Sequence, residues 1–199
     1  MAKKYLNLAI TDSVCREEKK YYGHAAKIAD APERDPLTAA EVEFIAARDS
    51  FYLGTISESG WPYIQHRGGP TGFLRVLNPT TLAFADYLGN RQLLTTGNVA
   101  ANDHVSLFLM DYRNRERLKI LGYARIEDAR AQPVLTTQVS PPGMQANVER
   151  VVVIDVVSFD WNCPKYITTR YSVAEVEELA ESLRGRIAEL EEQLRAVQT

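Results

Sequence analysis

Hydrophobic and polar positions change period along this chain, and each change marks an element. Residues 12–31 mix Glu17, Glu18, Lys19 and Lys20 with Tyr21 and Tyr22 ahead of Gly23, which predicts a short exposed helix and a loop. Pro32 and Pro36 mark a linker. Thr38-Ala39-Ala40-Glu41 is a capping box, and Val42, Ile45 and Ala46 follow at helical spacing, predicting a helix over about 38–48. After Asp49 the period shortens to two. FYLGTI, a turn at Glu58-Ser59-Gly60 and WPYIQHR read as one hairpin; Leu74–Leu77, a turn at Asn78-Pro79 and Thr81–Ala85 read as a second. His104–Met110 is almost continuously apolar, which predicts a strand buried on both faces, with Leu118–Ile126 as its partner. Val151–Phe159 is a long β-branched strand, and 128–149, with Pro133, Pro141, Pro142 and Gly143, reads as an inserted helix or loop. Six or seven short strands with tight turns predict a mainly β chain with flanking helices, closed as a small barrel.

The C-terminal stretch follows another rule. Val176, Ala180, Leu183, Ile187, Leu190, Leu194 and Val197 are spaced 4, 3, 4, 3, 4, 3, the a/d seam of a long helix. Such a stripe packs either on its own barrel or on a partner's helix. Three segments follow: an N-terminal helix and linker over 1–37, a barrel domain over 38–172 and an amphipathic helix over 173–199.

Charge sharpens this division. The 199 residues carry a formal net charge of -3, which argues against a general polyanion binder. Seven Glu and three Arg in 173–199 give the tail a net of -4, so the rest of the chain stands at +1. Cys15 and Cys163 are far apart and form no metal or disulfide pattern, and His24, His66 and His104 are scattered, so two reduced thiols and no metal site are expected. Without a signal-peptide pattern or a long apolar run, the default expectation is a cytoplasmic chain with neither membrane nor nucleic-acid partner.

Chemistry concentrates in three segments. Arg113, Arg115, Arg117 and Lys119 share one face if 113–119 is extended. Four such cations are either a solvated hairpin end or an anion site. Gln65-His66-Arg67-Gly68-Gly69-Pro70 sets charged donors beside two glycines, and reads as a ligand-facing strand or a structural turn. Asp86–Gln92 follows a strand and opens toward a helix, where amides and Arg91 would suit a phosphate. His104, on an apolar strand, reads as a core residue. P-loop, dinucleotide, serine-hydrolase and zinc-protease signatures are absent from the sequence.

These segments occur as WPYIQHRGGPTGFLRVL, FADYLGNRQ, LFLMDYRNRERLKILGYARI and FDWNCPKYIT. In that order, over about residues 10–172, they resemble the pyridoxamine 5'-phosphate oxidase-like family of FMN-binding split barrels. More narrowly, they resemble the branch with QHRGGPxGF and WNCPK motifs. The resemblance implies a six-stranded antiparallel split barrel that forms a homodimer with FMN in clefts between subunits. It places Gln65, His66, Arg67 and Gly68 on a strand passing the ribityl and phosphate. Asn90, Arg91 and Gln92 stand where the family has a phosphate clamp, and Arg117 and Lys119 on a strand contacting ring or phosphate. Trp161, Asn162 and Lys165 belong to a late segment reaching the flavin.

The true pyridoxamine phosphate oxidases carry R-x-V-L-L-K and a basic C-terminal end, whereas this chain has QHRGGP and an acidic helix. The expected function is therefore an FMN-dependent oxidoreductase acting on another small molecule. The alternative is a non-catalytic flavin, deazaflavin or haem carrier on the same barrel.

Overall fold

A computed structural model describes residues 3–26, 30–141, 144–161 and 164–197. They form two compact units, one of residues 1–110 and 117–163, the other of 111–116 and 164–199.

The larger unit begins with α1 (Lys3–Ala9) and α2 (Asp12–Tyr22). The predicted exposed helix is α2, closed by Gly23 in the left-handed region at φ 77°, where glycine carries no Cβ penalty. The sequence pattern did not predict α1, which is held by contacts to residues distant in sequence. Its Lys4 amide donates to Asp35 Oδ2 at 3.0 Å, and Tyr5 lies under Lys119 Nζ at 4.6 Å.

Helix α3 (Ala39–Ala46) starts where the capping box places it. Strands β1 (Ser50–Ile56) and β2 (Pro62–Gly68) form the first hairpin, and β3 (Arg75–Asn78) and β4 (Thr81–Tyr87) the second. Then come α4 (Leu94–Ala101), β5 (His104–Asp111), β6 (Glu116–Asp128), α5 (Pro133–Val139), a 3-10 turn at Gln145–Asn147 and β7 (Val148–Trp161).

The strands make one antiparallel sheet in the order β2-β1-β5-β6-β7-β4-β3. Among the described residues seven strands are present rather than six, because the short β3 pairs with β4 across the Asn78 turn, where Asn78 Oδ1 accepts from the Thr80 amide at 2.9 Å. The sheet curls on itself: Phe51 of β1 meets Phe84 of β4 edge-on at 5.4 Å, although three strands separate β1 from β4 in that order. Leu53, Leu107, Leu118, Ile120 and Ile154 fill the interior of this barrel.

Two-face burial occurs on β7 rather than on β5. On β7, Val152, Ile154 and Val156 face the barrel core, while Val151 and Val153 lie against Val139 of α5 on the outside. On β5, Val105, Leu107 and Leu109 are buried, while His104 and Ser106 are exposed, the alternation of a strand with one solvated face. His104 is thus an outward residue, 4.9 Å edge-on from Tyr123 and bonded through Nδ1 to Asn102 Oδ1 at 3.0 Å.

The smaller unit comprises the β5–β6 turn, residues 164–172 and α6 (Val173–Val197). Arg113 and Arg115 are exposed turn residues rather than members of an extended cationic face; Arg115 has φ 59° and Arg113 Nη1 lies 3.5 Å from Glu175 Oε1. No described helix is long and apolar enough to cross a membrane.

Candidate functional site

Pairing register decides which side chains of β2 face inward. Tyr63, Gln65 and Arg67 stand opposite Thr55, Leu53 and Phe51, all buried on β1, so they point into the mouth of the barrel. His66 and Gly68 point the other way. His66 lies 5.6 Å from the Tyr52 ring on the outer surface, where Tyr52 also stands opposite Phe108.

Gln65 and Arg67 line a cavity of about 250 Å³ together with Asp86 and Tyr87 of β4, the 89–93 loop, the start of α4 and Arg150 of β7. Its framework is an ion-pair bridge. Asp86 Oδ1 accepts from Arg67 Nη1 at 2.9 Å, and Asp86 Oδ2 from Arg150 Nε at 3.0 Å. Register supplies the second contact, since Asp86 and Arg150 are direct partners across β4 and β7. Arg67 Nη2 donates to Thr95 Oγ1 at 3.1 Å, and that hydroxyl donates to Gln65 Oε1 at 2.8 Å. Because a guanidinium only donates, the Thr95 proton must go to Gln65, which leaves the Gln65 amide NH2 as a donor.

The loop is built on the same principle. Asn90 Oδ1 accepts from the Gln92 amide and Asn90 Nδ2 donates to Gln92 Oε1, both at 3.1 Å, so the Gln92 NH2 also remains a donor. Arg91 and Leu93 hold φ of 61° and 54°, a left-handed conformation that side chains adopt at a cost. Arg91 is exposed and makes no ion pair among the described residues. Arg67 Nε is buried without a hydrogen-bond partner among the described residues. Burial pushes the Tyr87 hydroxyl up from its ordinary pKa, so the phenol stays protonated at neutral pH.

The result is a set of donors around a carboxylate that two arginines already occupy. Gln65, Gln92, Arg91 and Tyr87 can all donate, and the amides at the start of α4 add partial positive charge. Such a set fits an anionic, oxygen-rich group such as a phosphate ester.

Of the residues expected at a cofactor, the cavity brings together Gln65, Arg67, Asn90, Arg91 and Gln92. Arg117 and Lys119 lie elsewhere on the barrel: Arg117 sits 6.0 Å over the Phe108 ring, and Lys119 Nζ pairs with Asp160 Oδ2 at 2.8 Å. Trp161 stands at the end of β7, where its indole donates to Glu41 Oε1 at 2.6 Å and meets Phe44 edge-on at 4.8 Å. Lys165 belongs to the smaller unit, with Nζ 5.1 Å from the Tyr166 ring. Asn162 lies outside the described residues, as does Cys163.

Sequence reasoning missed Thr95 and Arg150. A charged residue directly before the β-branched run of β7 was a readable signal for Arg150; Thr95 carried none.

An antiparallel split barrel with a donor-lined polar cavity at its mouth places the chain in the class of split-barrel proteins. Within that class, a profile of the pyridoxamine 5'-phosphate oxidase family matches residues 37–141, more than half of the chain, and the chain belongs to that family. No curated protein matches the sequence.

Solved structures are similar at low identity. A conserved hypothetical protein from Mycobacterium tuberculosis aligns at a TM-score of 0.50 and 14% identity, over 73% of this chain and 96% of its own. A protein of Lactobacillus delbrueckii named for pyridoxamine 5'-phosphate oxidase aligns at 0.49 and 20%, over 63% and 93%. An FMN-binding protein from Syntrophomonas wolfei aligns at 0.43 and 10%, over 61% and 86%. At these identities the likeness is one of fold.

Proposed function

We propose that the cavity binds the phosphate and ribityl end of FMN, and that the chain acts as an FMN-dependent oxidoreductase on a small molecule. The observation that carries this reading is the donor set: two glutamine amides, a phenol and Arg91, which has no ion pair among the described residues, line the cavity while the Asp86 carboxylate is held by Arg67 and Arg150. A cavity of about 250 Å³ is smaller than the roughly 300–1,000 Å³ of sites that enclose a whole drug-sized ligand. It therefore takes one end of the cofactor and leaves the ring outside.

When bound, FMN supplies hydride or electron transfer at its ring. The residues of the chain bind and orient it. Arg91 offsets the phosphate charge, the α4 amides and Gln92 donate to its oxygens, and Gln65 donates to the ribityl hydroxyls. Arg67 acts through others, since its two terminal nitrogens are committed to Asp86 and Thr95. It fixes the Gln65 amide by holding Thr95.

The chain is proposed to work as a homodimer. The outer face of the first hairpin exposes Tyr52, Ile56 and Ile64, with Trp61 at its turn, an apolar surface that a second copy would cover.

Purified protein is expected to carry or take up FMN, seen as flavin absorbance, to prefer FMN to riboflavin, and to oxidise NADH or NADPH with a dye or quinone acceptor. Colourless protein that refuses added FMN overturns the reading. FMN binding without turnover keeps the site and removes the oxidoreductase. Sedimentation as a monomer removes the dimer.

A further inference from the structure

The 25-residue α6 carries a regular apolar stripe that no described residue of its own unit covers. None of its side chains from Val173 to Ala196 is buried; Leu183, Ile187 and Leu194 are 65%, 55% and 59% exposed. A single helix in water gains most of its stability by packing such a face.

We propose that α6 pairs with α6 of a second copy of this chain as a parallel, in-register two-stranded coiled coil. The proposal goes beyond the function above and does not depend on flavin binding. In heptad terms Val173, Ala180, Ile187 and Leu194 occupy a, and Val176, Leu183 and Leu190 occupy d. Ile at a flanked by Leu at both neighbouring d positions is the two-stranded preference. Gly185 falls at f, away from the seam, and has nothing within 4 Å of its Cβ position.

Charge selects the orientation. In a parallel pair, each g position faces the e position of the next heptad on the other helix. Arg186 at g then faces Glu191 at e of the second copy, twice by symmetry, and the remaining g–e pairs bring no like charges together. In a fully overlapped antiparallel pair, g faces g and e faces e. That sets Arg186 against Arg186, Arg184 against Arg184 and Glu177 against Glu191, all repulsive. Within one helix, Arg186 already holds Glu189 at 2.8 Å, an exposed pair that can extend to a second carboxylate.

The test uses the full chain with Cys15 and Cys163 changed to Ser, and Leu190→Cys at a d position. Leu183→Cys, at another d position, guards against a local folding defect, and Ser182→Cys is the outward control. Under mild oxidation, the two d-position variants are expected to form covalent dimers well above the control. Adding Arg186→Glu lowers that yield about fivefold, the effect of exchanging two attractive exposed pairs for repulsive ones. Adding Glu191→Arg to the same chain restores it. Crosslinking of both d positions no greater than the control overturns the pairing. Failure of the charge swap to restore yield overturns the register. Preferential crosslinking between Ala180→Cys and Leu190→Cys chains overturns the parallel orientation.

Discussion

Arg67 of β2 and Asp86 of β4 lie on the first and sixth strands of the sheet order, yet Nη1 and Oδ1 are 2.9 Å apart. This contact spans the mouth of the barrel, and the same carboxylate reaches Arg150 on the neighbouring strand. One side chain therefore joins closure of the fold to the shape of the cavity.

Removing Asp86 leaves two largely buried guanidinium groups without their shared anion. Asp86→Ala is expected to cost about 3 kcal/mol, read as a lower urea midpoint at unchanged m-value. Asp86→Asn keeps the shape and is expected to lose less. Equal stability of Asp86→Ala and wild type would show that the bridge contributes nothing.

Arg91 separates binding from stability. Its φ of 61° is strained for an arginine, and it has no ion pair among the described residues. Arg91→Gly relieves the strain and is expected to hold or raise the melting temperature, while FMN affinity falls about tenfold, roughly one charge-assisted contact of 1.4 kcal/mol. Riboflavin, without the phosphate, is expected to bind both proteins equally. Loss of both affinities in parallel would place Arg91 away from the phosphate.

The local elements were legible because their signals are local. The capping box at Thr38 and Glu41, the Gly60 turn and the heptads of α6 each lie within a few residues. The barrel and the family were legible from long motifs in fixed order. Helix α1 was not, since Asp35 and Lys119, which hold it, stand far along the chain. The apolar run of β5 was misread because hydrophobicity does not reveal whether a second layer covers the strand, and α5 covers β7 instead. Neighbours in the QHR motif face opposite sides, so His66 leaves the cavity that Gln65 and Arg67 enter. Register, rather than residue type, made that division.

Glu41 predicts an acid-sensitive contact. Burial pushes its carboxyl up, but hydrogen bonds from the Thr38 hydroxyl, the Trp161 indole and the Thr38 amide outweigh that and hold it below the ordinary value of 4.5. A carboxyl lowered by folding stabilises the native state above the unfolded pKa, and that contribution is lost as pH falls through the folded pKa. Wild type is expected to lose more stability than Glu41→Gln between neutral pH and pH 3. In a Trp61→Phe background, Trp161 fluorescence reports the contact directly. Identical acid profiles for the two proteins would remove Glu41 as the sensor.

Two glycines predict opposite effects of one methyl group. A Cβ on Gly122 would stand 2.6 Å from the Asp155 carbonyl oxygen of the paired strand, at the irregularity between Leu121 and Gly122. The obstacle is backbone in the barrel wall, so relief requires the β6–β7 ladder to shift, and Gly122→Ala is expected to cost about 3 kcal/mol. Gly97 lies within α4, where a Cβ meets nothing within 4 Å. There alanine only reduces the freedom of the unfolded chain and improves helix propensity, so Gly97→Ala is expected to add up to about 1 kcal/mol. Urea titrations of both variants give the comparison. Equal destabilisation by the two would show that glycine serves α4 for a reason other than space.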